Sequence, residues 1–208
     1  DTVRWRDVLR VVGLSTMALG AVFAIRKRDL KGLLAYTTIS MLGSFVALIA
    51  LPHGEGLKAA ALGIIAHALY KGTFFMLAGT VEHATGTRNL DELGGLRKLL
   101  PIPTAIAFTV GLSMAGYPPL VGFVGKEYLL DAMLPETGIG FIPIMLVFIS
   151  AIFNGTAAFL FAWDVFISRP EREYEHFHAP PLGMHIGLIG LALASLIFGV
   201  LVAPLLDP

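Results

Sequence analysis

Long apolar runs alternate with short polar links along this chain, and that alternation is its dominant signal. Six stretches are apolar for long enough to cross a bilayer: Val8–Ile25, Gly32–Leu51, Leu57–Val81, Ile102–Leu134, Ile139–Ile167 and Leu182–Leu206. A spanning helix needs about 20 apolar residues, because roughly 30 Å of hydrocarbon is crossed at about 1.5 Å per residue. None of the stretches shows the two-residue period of a barrel strand, so each predicts a helix. Between them lie "RKRDLK" (26–31), "PHGEGLK" (52–58), "EHATGTRNLDELGGLRKLLP" (82–101), "PETG" (135–138) and "RPEREYEHFHAPP" (169–181). The 82–101 link predicts a short surface helix, N-capped by Asn89 and stopped near Gly94-Gly95. Links this short leave no room for a soluble domain, so residues 1–208 form one membrane bundle.

Composition narrows the class. Of 208 residues, 56% are hydrophobic and only 14% charged, with a mean hydropathy of +0.77. A soluble domain of this length would need a polar surface that such a composition does not supply. The fold class is therefore all-α integral membrane, with about six transmembrane helices. The formal net charge is +0, so no nucleic-acid partner is indicated. The chain has 0 cysteines, which removes disulfides, thiolate zinc sites and cysteine-held iron–sulfur clusters, and no cofactor is expected. It starts at Asp1 without a signal-peptide pattern and reads as a piece of a longer polypeptide.

Charge placement gives an orientation. The links after the first, third and fifth stretches carry Arg26, Lys27, Arg28, Lys31, Arg88, Arg97, Lys98, Arg169 and Arg172. The other side carries Arg4, Arg6, Arg10 and Lys58. By the positive-inside rule the three basic links face the cytoplasm, which puts both chain ends outside a cell membrane crossed several times.

Two lysines remain, and both lie within apolar stretches. Lys71, in "IIAHALYKGTFFML", follows the start of a continuous apolar run at Ala59 by twelve residues. That is roughly 18 Å of helix, too deep for its side chain to snorkel to the interface. A central lysine costs about 2.5–3.5 kcal/mol on insertion scales. One reading is a packing lysine paired with a carboxylate on a neighbouring helix. The other is a proton carrier, because burial penalises the charged form and lysine can shed its proton. His67 lies four residues earlier on the same helix face, either as a satisfied core residue or as a relay partner. His67 and His185 on different spans raise haem ligation, but no second histidine faces either at matching depth.

The fourth stretch contains "GYPPLVGFVGKEYLLDAML" (116–134). Pro118 and Pro119 remove two backbone donors, so the helix opens near Gly116–Pro119. Freed backbone groups are tolerated at membrane depth only where protein or a watery cavity satisfies them, and broken helices recur at transporter ion sites. Lys126 follows about two turns later, with Glu127 beside it and Asp131 beyond as candidate partners. A plain proline kink with Asp131 holding Lys126 is the bland reading. A break and an ionisable group arriving together favour transport.

At these residues the chain resembles a known family. "RDLKGLLAYTTISMLG", "AHALYKGTFFMLAG", "EHATGTRNLDELGGL" and "SMAGYPPLVGFVGKE" occur in the order found in the antiporter-like membrane subunits of respiratory complex I and of Mrp-type cation/proton antiporters. "HATGTR" and the "SMAG-PP--GF--KE" pattern are nearest to the large A-type subunit of the Mrp antiporters. The resemblance covers nearly the whole chain. It implies two inverted five-helix repeats, each with a broken helix, of which this chain is the second repeat plus one following helix, the C-terminal half of the antiporter-like domain. It also implies that Lys71, His67 and Lys126 form a proton pathway and that the Asp29-Leu30-Lys31 turn is shared, with Lys31 a candidate partner of that pathway beside Glu127 and Asp131. Lysine rather than glutamate at 126 matches the A type. Relatives of that type carry a further histidine where this chain has Gly63, which leaves a gap in the relay or room for a water.

The implied function is a subunit of a multisubunit antiporter exchanging sodium, or a similar monovalent cation, for protons among other membrane subunits. The alternative is a proton-pumping subunit of a complex I-like NADH:quinone oxidoreductase or a membrane hydrogenase. There the redox centres would belong to partner subunits. In either case the chain is not itself a redox enzyme. A purely structural membrane scaffold is the third reading.

Overall fold

The computed structural model describes residues 2–52, 54–134, 141–169, 174 and 177–206. The helices are α1 (Thr2–Ile25), α2 (Leu30–Ile49), α3 (Gly54–Thr85), α4 (Pro101–Ala115), α5 (Val121–Met133), α6 (Phe141–Phe166) and α7 (Leu182–Leu206). Of these, α1, α2, α3, α6 and α7 are each long and apolar enough to cross a membrane alone. At 15 and 13 residues, α4 and α5 are individually short of the about 20 needed, so the pair makes one crossing. The chain is a multi-pass, all-helical membrane protein. The expected link at 135–138, the start of the fifth stretch at Ile139, Arg172 and the two chain ends lie outside the described residues.

Small residues let α1 and α2 touch backbone to backbone. A Cβ on Gly13 would sit 2.6 Å from Ala47 N, and one on Gly20 would sit 2.6 Å from Ser40 N. Close approach of this kind replaces the hydrophobic driving force that lipid does not supply. It also brings Ser40 near enough to α1 to donate to Met17 O at 2.8 Å. α3 packs against α2, α4, α5 and α7, so the face carrying His67, Tyr70, Lys71 and Phe74 is buried while Ile64, Ile65 and Phe75 stay exposed. Phe74 of α3 and Phe161 of α6 meet edge to face at 5.0 Å in the main core.

The basic ends of the helices are tied by two link segments. Leu30 N donates to Arg88 O at 3.0 Å and Leu90 N to Arg28 O at 2.7 Å. Asp29 caps α2 by accepting from Gly32 N at 2.7 Å, while its other oxygen pairs with Arg88 at 2.6 Å. Here the structure corrects the sequence reading, because Asn89 does not cap a helix. Asn89 N donates to Thr87 Oγ1 and Asp91 N to Asn89 Oδ1, both at 3.2 Å. Thr87 Oγ1 and Asn89 Nδ2 donate to Glu92 at 2.7 and 3.2 Å. These local side-chain bonds compete with the helix and turn the backbone instead. The short helical turn comes after the glycines, at Leu96–Lys98.

The fourth span is broken where the prolines stand. Gly116 closes α4 in the left-handed conformation, φ 84°. Gly116 N donates to Ser113 O at 2.9 Å and Tyr117 N to Leu112 O at 3.0 Å, a Schellman pattern that uses two of the last carbonyls of α4. α5 then starts against α4: Gly122 N donates to Ser113 Oγ at 3.1 Å. A Cβ on Gly122 would collide with Ser113 O, and one on Gly199 of α7 with Pro119 O. Protein groups satisfy much of this opened backbone, and α7 lies flush against it.

Candidate functional site

Lys71 is 4% exposed. α3 is long enough to bury its midpoint, and α2, running antiparallel beside it, supplies the partners. The Lys71 ammonium donates to Thr37 Oγ1 and to Leu34 O at 3.3 Å. Leu34 O also accepts from the Thr37 and Thr38 hydroxyls at 2.9 Å each, so its longer contact with the lysine is a shared one. Thr37 Oγ1 in turn donates to Leu34 O at 2.9 Å, so its oxygen is free to accept from the lysine. No carboxylate pairs with Lys71 among the described residues.

His67 is buried one turn away, and its Nδ1 lies 3.1 Å from Tyr70 OH rather than on Lys71. Tyr70 and Phe45 stand edge-on to the imidazole, with ring centroids at 5.3 and 5.9 Å. Phe45 also settles the neighbourhood of Gly63. Its ring edge is 2.6 Å from where a Cβ on Gly63 would be. An apolar ring packs where a side chain at position 63 would begin.

Lys126 sits on α5, and its Nζ donates to Ala115 O at 2.9 Å, one of the carbonyls freed at the break. The break and the lysine are thus one unit. Glu127 and Asp131 are exposed and make no ion pair with Lys126 among the described residues. Gly116 is the contact point, since a Cβ there would lie 2.6 Å from Lys126 Cδ. Pro118 and Pro119 are exposed. Lys31 lies at the end of the bundle, paired with Glu82 at 2.5 Å, one turn of α2 from Leu34. Beside it Arg28 pairs with Asp91 at 2.5 Å and approaches Asp164 at 3.9 Å. The Arg28 hydrogen bond and charge hold the Asp91 carboxyl below the usual carboxylate range.

The two lysines do not touch. What lies between them is a face of α2 that charge-based reading missed: Thr37, Ser40 and Ser44, three and four residues apart and all buried. Thr37 meets Lys71, while Ser40 and Ser44 line a cavity that Lys126 also lines. Asn154 of α6 reaches into the same place and donates to Ser40 Oγ at 2.9 Å. The overlooked signal was uncharged polar residues recurring at helical spacing inside apolar runs. Tyr70 was missed for the same reason. Each hydroxyl of this face donates to a backbone carbonyl: Thr37 to Leu34 O, Ser40 to Met17 O and Ser44 to Met41 O. Among the described residues no cluster of His, Cys, Asp or Glu could hold a metal ion.

Residues 1–154 match the family described as NADH:quinone oxidoreductase/Mrp antiporter, TM. The chain is 36% identical over 211 residues to the A/B-type subunit of a probable K(+)/H(+) antiporter of Rhizobium meliloti (strain 1021), a match covering 100% of this chain and 21% of that protein. It is 32% identical over 222 residues to the A-type subunit of the Na(+)/H(+) antiporter of Alkalihalophilus pseudofirmus, covering 95% of this chain and 28% of that one. Among solved structures it is similar to a chain of the membrane-bound sulfane sulfur reductase, an archaeal respiratory membrane complex. That match has a TM-score of 0.87 and 30% identity over 94% of this chain and 32% of the other. A chain of the Mrp complex from Dietzia sp. DQ12-45-1b shares the fold with a TM-score of 0.86 at 22% identity, over 98% of this chain and 46% of that one. The chain therefore spans less than a third of the two antiporter proteins it matches. With the family match covering residues 1–154 and the fold matched nearly end to end, the chain belongs to the antiporter-like membrane-subunit family shared by NADH:quinone oxidoreductase and the Mrp antiporters.

Proposed function

We propose that this chain is the C-terminal part of the antiporter-like unit of a longer A-type subunit in a multisubunit cation/proton antiporter. It moves protons through Lys126, Lys71 and His67 in exchange for a monovalent cation, sodium or its like, and works only beside other membrane subunits of the complex. The cell membrane is crossed with the basic links inside and both ends outside, as the charge count favours.

The observation that carries this reading is Lys71. An amine 4% exposed in an apolar bundle, bound to a hydroxyl and a carbonyl, is an expensive group with no carboxylate among the described residues to explain it structurally. Neutral partners leave it free to change protonation state. The relatives named for K(+)/H(+) and Na(+)/H(+) antiport support the exchange chemistry, and their difference leaves the cation to experiment. The 30% identity to a chain of a respiratory membrane complex keeps a redox-driven proton translocase as the second reading. Co-purifying flavin or iron–sulfur subunits would favour it.

The test replaces Lys71 by methionine and by arginine in the assembled complex and follows cation-driven proton movement in everted vesicles. Both variants should assemble and both should lose exchange, since arginine does not release its proton in a protein. Normal exchange with Lys71→Arg would overturn a protonation cycle at this site.

A further inference from the structure

The basic end of the bundle carries a cleft of about 470 Å³ that the proton relay does not use. Two segments far apart in the chain form it, one just before α4 and the other just after α6. Tyr174 clasps them together. Its hydroxyl donates to Gly94 O at 2.7 Å and accepts from Gly94 N at 2.8 Å, so one side chain holds both backbone groups of one residue. Gly95 then turns the chain in the left-handed conformation, φ 66°, into the short helical turn that carries Arg97 and Lys98. The fold thus fixes a cleft within the range of small-molecule sites, about 300–1,000 Å³.

The wall of the cleft has two characters. Arg97, Lys98 and Arg169 line it and are exposed, and none has a carboxylate partner among the described residues. The described carboxylates of this end are engaged elsewhere. Glu82 pairs with Lys31, Asp29 with Arg88, and Asp91 and Asp164 with Arg28. Glu92 accepts from Thr87 and Asn89. Glu171, Glu173 and Glu175, in the same link as Arg169, lie outside the described residues. Leu99, Ile167 and Phe177 supply the apolar part of the wall, with Leu99 48% exposed.

The spans set the depth at which the cleft opens. α6 ends at Phe166 and α4 starts at Pro101, so the cleft lies where the apolar layer gives way to water. Trp163, one turn before Ile167, is 44% exposed and stacks on Phe159 at 5.4 Å; rings of this kind collect at headgroup depth. Three cations beside an exposed apolar wall at this depth match a ligand in which a phosphate is joined to hydrocarbon. A free anion would use the cations and leave Leu99 in water.

We propose that this cleft binds an anionic phospholipid, its phosphate on Arg97, Lys98 and Arg169 and the start of its acyl chains against Leu99, Ile167 and Phe177. Each cation near an anionic membrane surface strengthens the attraction about fivefold. The two arginines add paired N–H groups that fit phosphate oxygens. The bound lipid bridges the segment before α4 to the segment after α6. The site stands or falls independently of the relay.

Photolabelling of the assembled complex tests it. The probe is phosphatidylglycerol with a diazirine near the head of one acyl chain, at low mole fraction in phosphatidylcholine vesicles. Peptide mass spectrometry should find the label on the peptides carrying Leu99 and Phe177. Unlabelled phosphatidylglycerol should lower that labelling severalfold, whereas extra phosphatidylcholine or millimolar inorganic phosphate should leave it unchanged. In Arg97→Gln/Lys98→Gln/Arg169→Gln it should fall at least about tenfold. In Arg26→Gln/Lys27→Gln, which removes charge at the same end but not from the cleft, it should persist. Equal labelling by a phosphatidylcholine probe shows ordinary lipid contact, and displacement by inorganic phosphate shows a free-anion site. No label on these peptides in the native complex shows that protein covers the cleft. Each of these three results overturns the proposal without any variant, so the test survives a triple variant that fails to assemble. Unchanged labelling in an assembled triple variant overturns it as well.

Discussion

Replacing Gly116 by alanine should loosen the break and disturb Lys126 in one step. Gly116 has φ 84°, a region that costs an L-residue about 1–2 kcal/mol. The new Cβ would also fall 2.6 Å from Lys126 Cδ, where ordinary contact begins nearly an ångström further out. The side-chain stem must move, and the ammonium that it carries to Ala115 O moves with it. A hydrogen bond from a charged group is worth about 1.5–3 kcal/mol. Together the two effects come to about 2.5–5 kcal/mol against the closed arrangement. A lower unfolding temperature is therefore expected.

The measurement is thermal unfolding of the purified complex, alongside proton exchange in vesicles. Gly79→Ala is the matched control. It lies in α3 with nothing within 4 Å of a new Cβ, and helix propensity alone favours alanine there by about 0.5–1 kcal/mol. Gly116→Ala should lose stability and exchange while Gly79→Ala keeps both. If Gly116→Ala unfolds with its control and exchanges normally, the break is a passive kink and its contact with Lys126 has no consequence.

Three further outcomes are expected. A single cysteine can be read without background, since the chain has none; at Arg88 it should react with an impermeant reagent only from the cytoplasmic side, and at Lys58 only from outside. Lys126→Ala and Lys126→Arg should assemble but not exchange, while Lys126→Glu should retain part of the activity; normal exchange by the arginine variant would make Lys126 a structural charge. Arg28 depresses the carboxyl of Asp91 in the folded state, so that pair contributes above the ordinary aspartate range of about 3.9 and fades as pH falls through the lowered value. Unfolding scans of Asp91→Asn should therefore differ from the parent at neutral pH and converge with it in acid, by a small amount because the pair is exposed.

The hydropathy of the chain made the helices and the break readable, because crossing a bilayer and losing a backbone donor at proline are constraints on single residues and runs. Lys71, His67 and Lys126 were visible for a related reason: a titratable group in an apolar run is costly wherever its partner lies. Their partners were not visible. Lys126 was expected beside Glu127 or Asp131 from sequence distance, but the helix points those carboxylates outward and the break brings Ala115 O within reach instead. Thr37, Ser40, Ser44 and Asn154 acquire their meaning only when α1 and α2 close on glycines and α6 packs beside them, a tertiary event. The turn at 86–92 was misread because Thr87 and Asn89 can cap a helix or replace one, and the pairing with residues 28–30 decides between them.

The choice of partners at Lys71 has a consequence of its own. A carboxylate beside a buried lysine would bind the ammonium far better than the amine and would hold the proton in place. Leu34 O and Thr37 Oγ1 act differently. A neutral amine still has two N–H groups, which match these two acceptors, so losing the third proton leaves the side chain anchored. The surplus proton of the ammonium has no acceptor among the described residues, and in the proposed relay it is the one to leave. Thr37→Val keeps the shape of the side chain and removes one anchor. The amine should then wander from its post, and exchange should fall roughly tenfold with assembly intact, less than the full loss expected of Lys71→Met. Exchange equal to the parent in Thr37→Val would show that Lys71 does not depend on this anchor, and the hydroxyl face of α2 would be packing alone.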